Sequence, residues 1–140
     1  MTNTIDHEIK LAAPAAACLR ALTATDALRT WYTPDTDGDA SVGGTLRFAF
    51  DGRPTFRWLV LDAGPRRVHW RCTEGPGASV GTEVVFVLTP TADDRTLLEF
   101  VHSGWPEQAA NFRKCNTLWA LLLGSLKTYV ESGVAAPALA

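Results

Sequence analysis

The last third of the chain constrains the fold most, because an apolar strand is followed there by a long amphipathic helix. The strand begins near Thr96, and the segment 102–106 (HSGWP) interrupts it. The chain then continues to Gly133 with Gly124 as its one strong helix breaker. Apolar residues of this segment recur at intervals of three and four: Phe112, Cys115, Trp119, Leu122, Leu126 and Tyr129. This spacing predicts a helix whose wide apolar stripe needs a curved sheet to cover it.

The first third predicts one strand and two short helices. Residues 4–11 alternate apolar and charged side chains, which is typical of a half-buried strand. Pro14 suits the start of a helix, and the helix-forming residues 15–22 follow it. Thr23 or Thr25 can cap a second short helix that ends near Trp31.

The middle of the chain predicts an antiparallel meander. Residues 33–44 are rich in Pro, Asp, Ser and Gly, so we expect an exposed loop there. Five strand-like segments follow: 45–51, 55–62, 67–73, 82–89 and 95–103. Their connections are too short for the crossovers that parallel neighbours require, so we expect antiparallel pairing.

The chain as a whole predicts one domain over 1–140, with residues 134–140 as a frayed tail. A net charge of −2 gives no reason to expect nucleic acid as a partner. Its longest apolar run, 118–123, is too short to cross a membrane, and the N-terminus lacks the pattern of a secretory signal. Three widely spaced cysteines indicate free thiols. We therefore expect a cytoplasmic protein with no membrane partner.

The predicted order of elements resembles the helix-grip fold of the SRPBCC superfamily, which includes the START lipid-transfer proteins and the birch-pollen allergen. Within it, the chain is similar to small bacterial proteins like the C-terminal domain of the activator of the heat-shock-90 ATPase. Four segments carry the resemblance: 5–9 with Pro14, 28–32, 65–70, and 98–105 leading into the helix that ends at 129–133.

This resemblance implies an α+β helix-grip fold. It would have a curved antiparallel sheet of six or seven strands around the long C-terminal helix, with two short helices after the first strand. Family members often have glycine immediately before the helical tryptophan, whereas Leu118 precedes Trp119 here. We therefore expect less space between helix and sheet than the resemblance implies.

Aromatic side chains form the candidate ligand site. In the helix-grip fold they would lie between the sheet and the helix, together with one histidine: Phe48, Phe50, Trp58, Trp70, Phe86, Phe100, His102, Trp105, Phe112 and Trp119. Such rings either line an apolar cavity or pack together as a closed core. Both alternatives are consistent with the sequence.

His102 shares a strand face with Leu98 and Phe100, so it could bind a ligand or act as an acid or base. Alternatively, it caps backbone groups at the corner or lies in solvent. His69 is expected on the exposed face and His7 as an ordinary strand residue. No spacing of histidines, cysteines or carboxylates indicates a metal site, a catalytic group or a cofactor.

The leading functional hypothesis is a binding protein for a small hydrophobic or amphipathic molecule, in which the rings give affinity and His102 or Trp105 gives orientation. An enzyme of cyclase or hydrolase type that uses the same cavity is the alternative, although no acid–base pair marks one. A partner of the chaperone ATPase is a third and weaker hypothesis. A homodimer is compatible with the edge strands of such a sheet.

Overall fold

A computed structural model describes residues 3–108 and 111–134 of the chain. Three α-helices are present in these ranges: α1 (Ala15–Thr23), α2 (Thr25–Trp31) and α3 (Asn111–Ser132). The strands are β1 (Asn3–Leu11), β2 (Asp35–Gly38), β3 (Thr45–Ala49), β4 (Phe56–Ala63), β5 (Arg67–Glu74), β6 (Glu83–Pro90) and β7 (Thr96–Trp105). A short 3-10 turn, Gly77–Ser79, lies between β5 and β6. The expected α+β helix-grip fold is confirmed.

The strands form one antiparallel sheet in the order β1-β7-β6-β5-β4-β3-β2. From β2 to β7, every strand pairs with the next one along the chain, which confirms the predicted meander. The first strand closes the other edge by pairing with β7. Side chains alternate between the two faces of each strand, so one face of the sheet supplies the core.

The expected loop over residues 33–44 is wrong in part, because β2 occupies its first half. Because this segment is polar, its sequence did not predict the strand that it forms at the edge of the sheet. Thr36 points inward and is buried, and its hydroxyl donates to the Thr33 carbonyl at 2.7 Å. Asp35 and Asp37 point outward, where Arg47 of β3 pairs with both. Alternating acidic residues suit an edge strand whose neighbour carries the compensating charge.

The capping prediction for α2 is also wrong. Ala24 is the N-terminal cap residue, and no side chain caps the helix. The Thr23 hydroxyl instead donates to the Leu19 carbonyl at 2.8 Å, within the preceding helix. This internal bond satisfies the threonine without extending the helix.

Helix α3 crosses the concave face of the sheet, and its C-terminal half is held by polar contacts. The Glu131 carboxylate accepts from the Ala12 amide at 2.8 Å, and the Lys127 ammonium donates to the Lys10 carbonyl at 3.0 Å. Ser125 donates to the Trp31 carbonyl at 2.8 Å. Gly133, with a φ of +72°, follows the last helical residue, as expected of a helix stop. The predicted tail over residues 134–140 falls outside the described residues from position 135 onward.

Candidate functional site

The middle of the space between sheet and helix is filled by aromatic rings. Phe48 lies 5.8 Å from Trp70, and Trp70 lies 5.1 Å from Phe86, between ring centroids. Phe86 continues the chain of contacts to Phe100 at 5.1 Å, and Phe100 lies 4.4 Å from Trp119 of α3. We call these five residues the aromatic cluster. Each is at most 2% exposed, so this part of the molecule is a packed core.

His102 fixes the helix against this cluster. The Trp119 indole N–H donates to His102 Nδ1 at 3.0 Å. Since an indole nitrogen can only donate, Nδ1 accepts, and the neutral ring carries its proton on Nε2. Nε2 lies 2.8 Å from Thr82 Oγ1, and the Thr82 hydroxyl donates to the Ser79 carbonyl at 2.6 Å. This chain of hydrogen bonds joins α3, β7 and the start of β6.

Of the two alternatives for His102, a backbone cap or a solvent-exposed residue is wrong, because the ring is 0% exposed and both its nitrogens contact side chains. The hydrogen-bond partners of His102 could not be predicted from the sequence, because Thr82 and Trp119 come from distant segments. Burial lowers the pKa of His102 to about 3, so the ring is neutral at physiological pH. Both ring nitrogens are already engaged within the protein, and neither is available to a bound molecule in this arrangement.

Three other tryptophans contain buried indole N–H groups that have no hydrogen-bond partner among the described residues: Trp58, Trp70 and Trp105. Trp58 lies behind Phe56 in a parallel stack at 6.1 Å, and Trp105 contacts the ring of Phe112 at 5.9 Å. An unpaired buried donor costs on the order of 1–3 kcal/mol. The indole N–H of Trp58 thus lacks a hydrogen bond within the described part of the chain, whereas the indole N–H of Trp119 donates to His102.

An open pocket lies at one end of the aromatic cluster, beside the first two turns of α3. We call it the end pocket; its volume is about 350 Å³. Its walls come from the β3–β4 connection, the first residue of β4, the segment before the 3-10 turn, and α3: Phe50, Gly52, Arg53, Pro54, Phe56, Pro76, Asn111, Lys114, Cys115 and Leu118. A Cβ atom at Gly77 would overlap the Asn111 side chain, so the turn contacts the start of α3 closely. The lining is mostly apolar, and its polar side chains are Arg53, Asn111 and Lys114.

Of the ten candidate site residues, Phe50 lines the end pocket. The aromatic cluster contains five of the others. Trp58 and His102 contact the cluster, Trp105 contacts His102, and Phe112 contacts Trp105. Sequence reasoning did not identify Phe56, Cys115 or Leu118 as site residues. The alternation that places Trp58 on the inner face of β4 also places Phe56 there, so this signal was present.

The cysteine thiols do not provide a nucleophile. Cys18, Cys72 and Cys115 are free and buried, in agreement with the expectation of free thiols. Burial raises the pKa of Cys72 to about 11 and that of Cys115 to about 12. A thiol with such a pKa stays protonated at neutral pH, and the thiolate is the reactive form. Cys115 therefore contributes an apolar wall to the end pocket.

His69 is half-buried in a cross-strand cluster rather than freely exposed. Its Nε2 lies against the Glu83 carboxylate, and Arg71 contacts the same group. Burial opposes ionisation of Glu83, but hydrogen bonds from His69 and Arg71 outweigh it and lower the pKa of this carboxyl. His7 lies on β1, with its ring 6.2 Å from Phe100. The described residues hold no group of three or more His, Cys, Asp or Glu side chains placed to bind a metal ion.

No helix in the described part of the chain combines the length and apolar character that crossing a membrane requires. Residues 12–131 match the family model described as Activator of Hsp90 ATPase homolog 1-like protein. A comparison with curated proteins found no match.

Solved structures show the same fold. The Aha1 dimer from Colwellia psychrerythraea, determined in solution, is 35% identical with a TM-score of 0.84, over 94% of this chain and 98% of that one. CalU16 from Micromonospora echinospora is 25% identical with a TM-score of 0.75, over 92% of this chain and 74% of that one. A conserved protein of unknown function from Enterococcus faecalis is 25% identical with a TM-score of 0.73, over 97% and 75% of the two chains.

Proposed function

The chain belongs to the family of Activator of Hsp90 ATPase homolog 1-like proteins, within the SRPBCC superfamily, and from this premise we propose that it binds a small hydrophobic molecule in the end pocket. The observation that carries the proposal is the apolar lining of that pocket by Phe50, Phe56, Cys115 and Leu118. Concave sites of this kind, with few polar groups, are where proteins hold apolar ligands.

The size and position of the pocket define the kind of ligand. A volume of about 350 Å³ is near the lower end of the range for ligand pockets, so the proposed ligand is small. The aromatic cluster blocks deeper entry, because its rings are already in contact. Leu118, at the position where relatives often have glycine, occupies part of the opening. The ligand is therefore proposed to lie beside α3 rather than beneath Trp119.

Binding is favoured over catalysis by the composition of the described lining. It contains no carboxylate and no imidazole, and its thiol is protonated at neutral pH. His102, the candidate acid or base, has both ring nitrogens engaged. General acid–base catalysis requires a group whose pKa lies near the working pH. A cavity-based enzyme remains the alternative, and turnover of a bound compound would establish it.

Isothermal titration calorimetry with decan-1-ol and with decanoate tests the proposal. We expect saturable one-to-one binding of at least one of the two probes. Leu118→Trp should fill the opening and weaken binding at least about tenfold, because overpacking costs on the order of 1–3 kcal/mol. Leu118→Ala should weaken binding less than Leu118→Trp, because it removes one apolar contact with the ligand but leaves the opening unobstructed.

Val42→Trp is the matched control for the added ring. Val42 is 64% exposed on the β2–β3 connection and does not line the end pocket, so its replacement should leave the affinity unchanged. Absence of saturable binding for both probes would contradict the proposal. Equal weakening by Leu118→Trp and Val42→Trp would place the bound probe elsewhere and contradict it as well.

Assembly, cellular location and chaperone contact are also proposals. The dimer observed for the Colwellia psychrerythraea protein supports the prediction of a homodimer for this chain. Sedimentation equilibrium over a range of protein concentrations tests it, and a monomer throughout would refute it.

A cytoplasmic location remains a prediction. Contact with the chaperone ATPase is the weaker alternative, and it requires a change in ATPase rate when this protein is added.

A further inference from the structure

We infer that the ligand of the end pocket is an amphipathic anion, whose apolar body lies against Phe56 and Leu118 and whose negative group lies against three basic side chains. The inference rests on the proposed function and specifies the chemical class of the ligand. It starts from a second open pocket of about 440 Å³, lined by Arg53, Arg113, Lys114, Thr117, Leu118 and Leu121.

The two pockets adjoin, because Arg53, Lys114 and Leu118 line both. Together their linings contain three cations and no carboxylate. We call Arg53, Arg113 and Lys114 the basic rim. The chain carries a net charge of −2, so a group of three basic residues without an acidic one is not a consequence of overall composition.

Of the 13 lysine and arginine residues, six form ion pairs with carboxylates, and the basic rim belongs to the seven that form none within the described ranges. Arg47 pairs with Asp35 and Asp37, and Lys127 pairs with Glu131. No ion pair joins any residue of the basic rim to a carboxylate within the described ranges. Arg113 makes a hydrogen bond to the Gln108 carbonyl at 3.0 Å, which uses one of its five N–H donors. Donors therefore remain available at the rim.

The position of two rim residues on α3 adds to the positive potential. Arg113 and Lys114 lie in the first turn of the helix, and that turn contains no acidic residue. The positive end of the helix dipole disfavours cations there and favours an anion instead. This placement is unfavourable for the helix alone, and a bound negative group would relieve it.

Exposed hydrocarbon beside the basic rim distinguishes an amphipathic anion from a small hydrophilic one. Leu121 is 56% exposed, and Leu118 forms a continuous apolar path from it into the end pocket. Inorganic phosphate would gain from the cations alone. A molecule with an acyl or aromatic body would in addition bury these leucines and gain from removing their apolar surface from water.

Calorimetry at low ionic strength and pH 7 tests the inference with three probes that share a ten-carbon chain: decanoate, decan-1-ol and decyltrimethylammonium. Decanoate should bind at least about threefold more tightly than decan-1-ol, and the cation most weakly, since each exposed charge contact contributes a few tenths of a kcal/mol to about 1 kcal/mol. Added salt should reduce the advantage of decanoate and leave decan-1-ol unchanged.

Charge-removing variants locate the effect. Arg53→Gln and Lys114→Gln should each weaken decanoate about two- to fivefold and weaken decan-1-ol less, because glutamine keeps part of the aliphatic side chain in the pocket wall and loses only the charge. Arg66→Gln removes the same charge from an exposed position that lines neither pocket, so it should change neither affinity. Equal weakening of decanoate by Arg66→Gln would overturn the assignment to the rim.

The failures of the two proposals are distinguishable. If decan-1-ol and decanoate bind equally, the inference fails and the proposed function stands; if neither binds, both fail. Competition by inorganic phosphate as strong as that by decanoate would overturn the amphipathic class. A decanoate affinity that falls as protein concentration rises would show that a second copy of the chain covers the rim, which would also overturn the inference.

Discussion

The two halves of α3 differ in how they meet the sheet. From Trp119 onward, the helix is held by a buried hydrogen bond to His102 and by contacts of Lys127 and Glu131 with the end of β1. Before Trp119, its inner side faces the end pocket, and two basic residues of its first turn lack an acidic partner among the described carboxylates. The C-terminal half of α3 covers the closed core, and the N-terminal half forms one wall of the open end pocket.

This contrast shows that a helix-grip fold can have a closed core between helix and sheet and still have an open pocket at one end of that core. Ring packing fills the space beneath Trp119, so affinity for a ligand cannot come from the middle of the sheet without moving those rings. At the end of the cluster, the β3–β4 connection and the segment before the 3-10 turn bound a space that remains open. The residues of α3 that close the core and those that line the proposed binding site thus lie in adjacent turns of the helix.

Replacing adjacent helix residues by alanine should separate the two halves most strongly. Trp119→Ala should lower the free energy of unfolding by about 3–5 kcal/mol, since it empties a buried aromatic site. Leu118→Ala should cost about 1 kcal/mol, because Leu118 is half-buried at the pocket wall. Urea-induced unfolding monitored by circular dichroism measures both. Similar losses for the two variants would refute the distinction between a closed and an open half.

The pH dependence of stability tests the buried histidine. In the unfolded chain His102 takes up a proton below about pH 6.5, whereas in the folded protein its pKa is about 3. Because the unfolded state then binds more protons, the free energy of unfolding should fall with decreasing pH below 6.5, by up to about 1.4 kcal/mol per pH unit. Denaturation between pH 6.5 and 5 avoids most carboxylate titration.

His102→Gln should remove the contribution of this histidine to the pH dependence of the free energy of unfolding, whatever the substitution costs in stability at neutral pH. His69→Gln is the matched control, because His69 lies half-buried in the Glu83 cluster and should leave the His102 contribution intact. A wild-type slope that persists unchanged in His102→Gln would show that the imidazole is not buried as described.

A pair of tryptophan-to-phenylalanine substitutions gives a smaller but sharper comparison. Trp119→Phe removes the donor to His102 and leaves a buried acceptor without a partner. Trp58→Phe removes an indole N–H that has no partner among the described residues. Since both changes remove a similar volume, Trp119→Phe should cost about 1–2 kcal/mol more in free energy of unfolding. A larger cost for Trp58→Phe would contradict the assigned hydrogen bonds.

Periodic segments explain why most of the fold could be predicted from sequence. The three- and four-residue spacing through Trp119 and Leu126 defines α3, and the alternation through Trp58 or Phe100 defines the inner face of the sheet. Strand β2 could not be predicted in this way. Its two Asp residues and its Gly have low strand propensity, and it pairs with β3, whose Arg47 forms ion pairs with both carboxylates.

The site was less predictable than the fold because it depends on how distant segments meet. Aromatic residues suggested a site at the centre of the sheet, where the structure instead has rings in contact with one another. The end pocket combines Phe56 of β4 with Cys115 and Leu118 of α3, and no sequence spacing joins the strand residue to the two helix residues. Leu118 was noticeable in the sequence as a departure from the family pattern, although its place in a pocket wall was not.

Proton–nitrogen correlation spectra of the backbone amides and the indole groups, recorded during a titration with decanoate, test the central claim most directly. The claim is that a ligand enters beside α3 while the core beneath Trp119 stays closed. The backbone amides of Phe56 and Leu118 should then shift, and the indole signals of Trp119 and Trp31, which are hydrogen-bonded inside the protein, should not. If the Trp119 indole shifts most, its bond to His102 has been broken, and the closed core is contradicted.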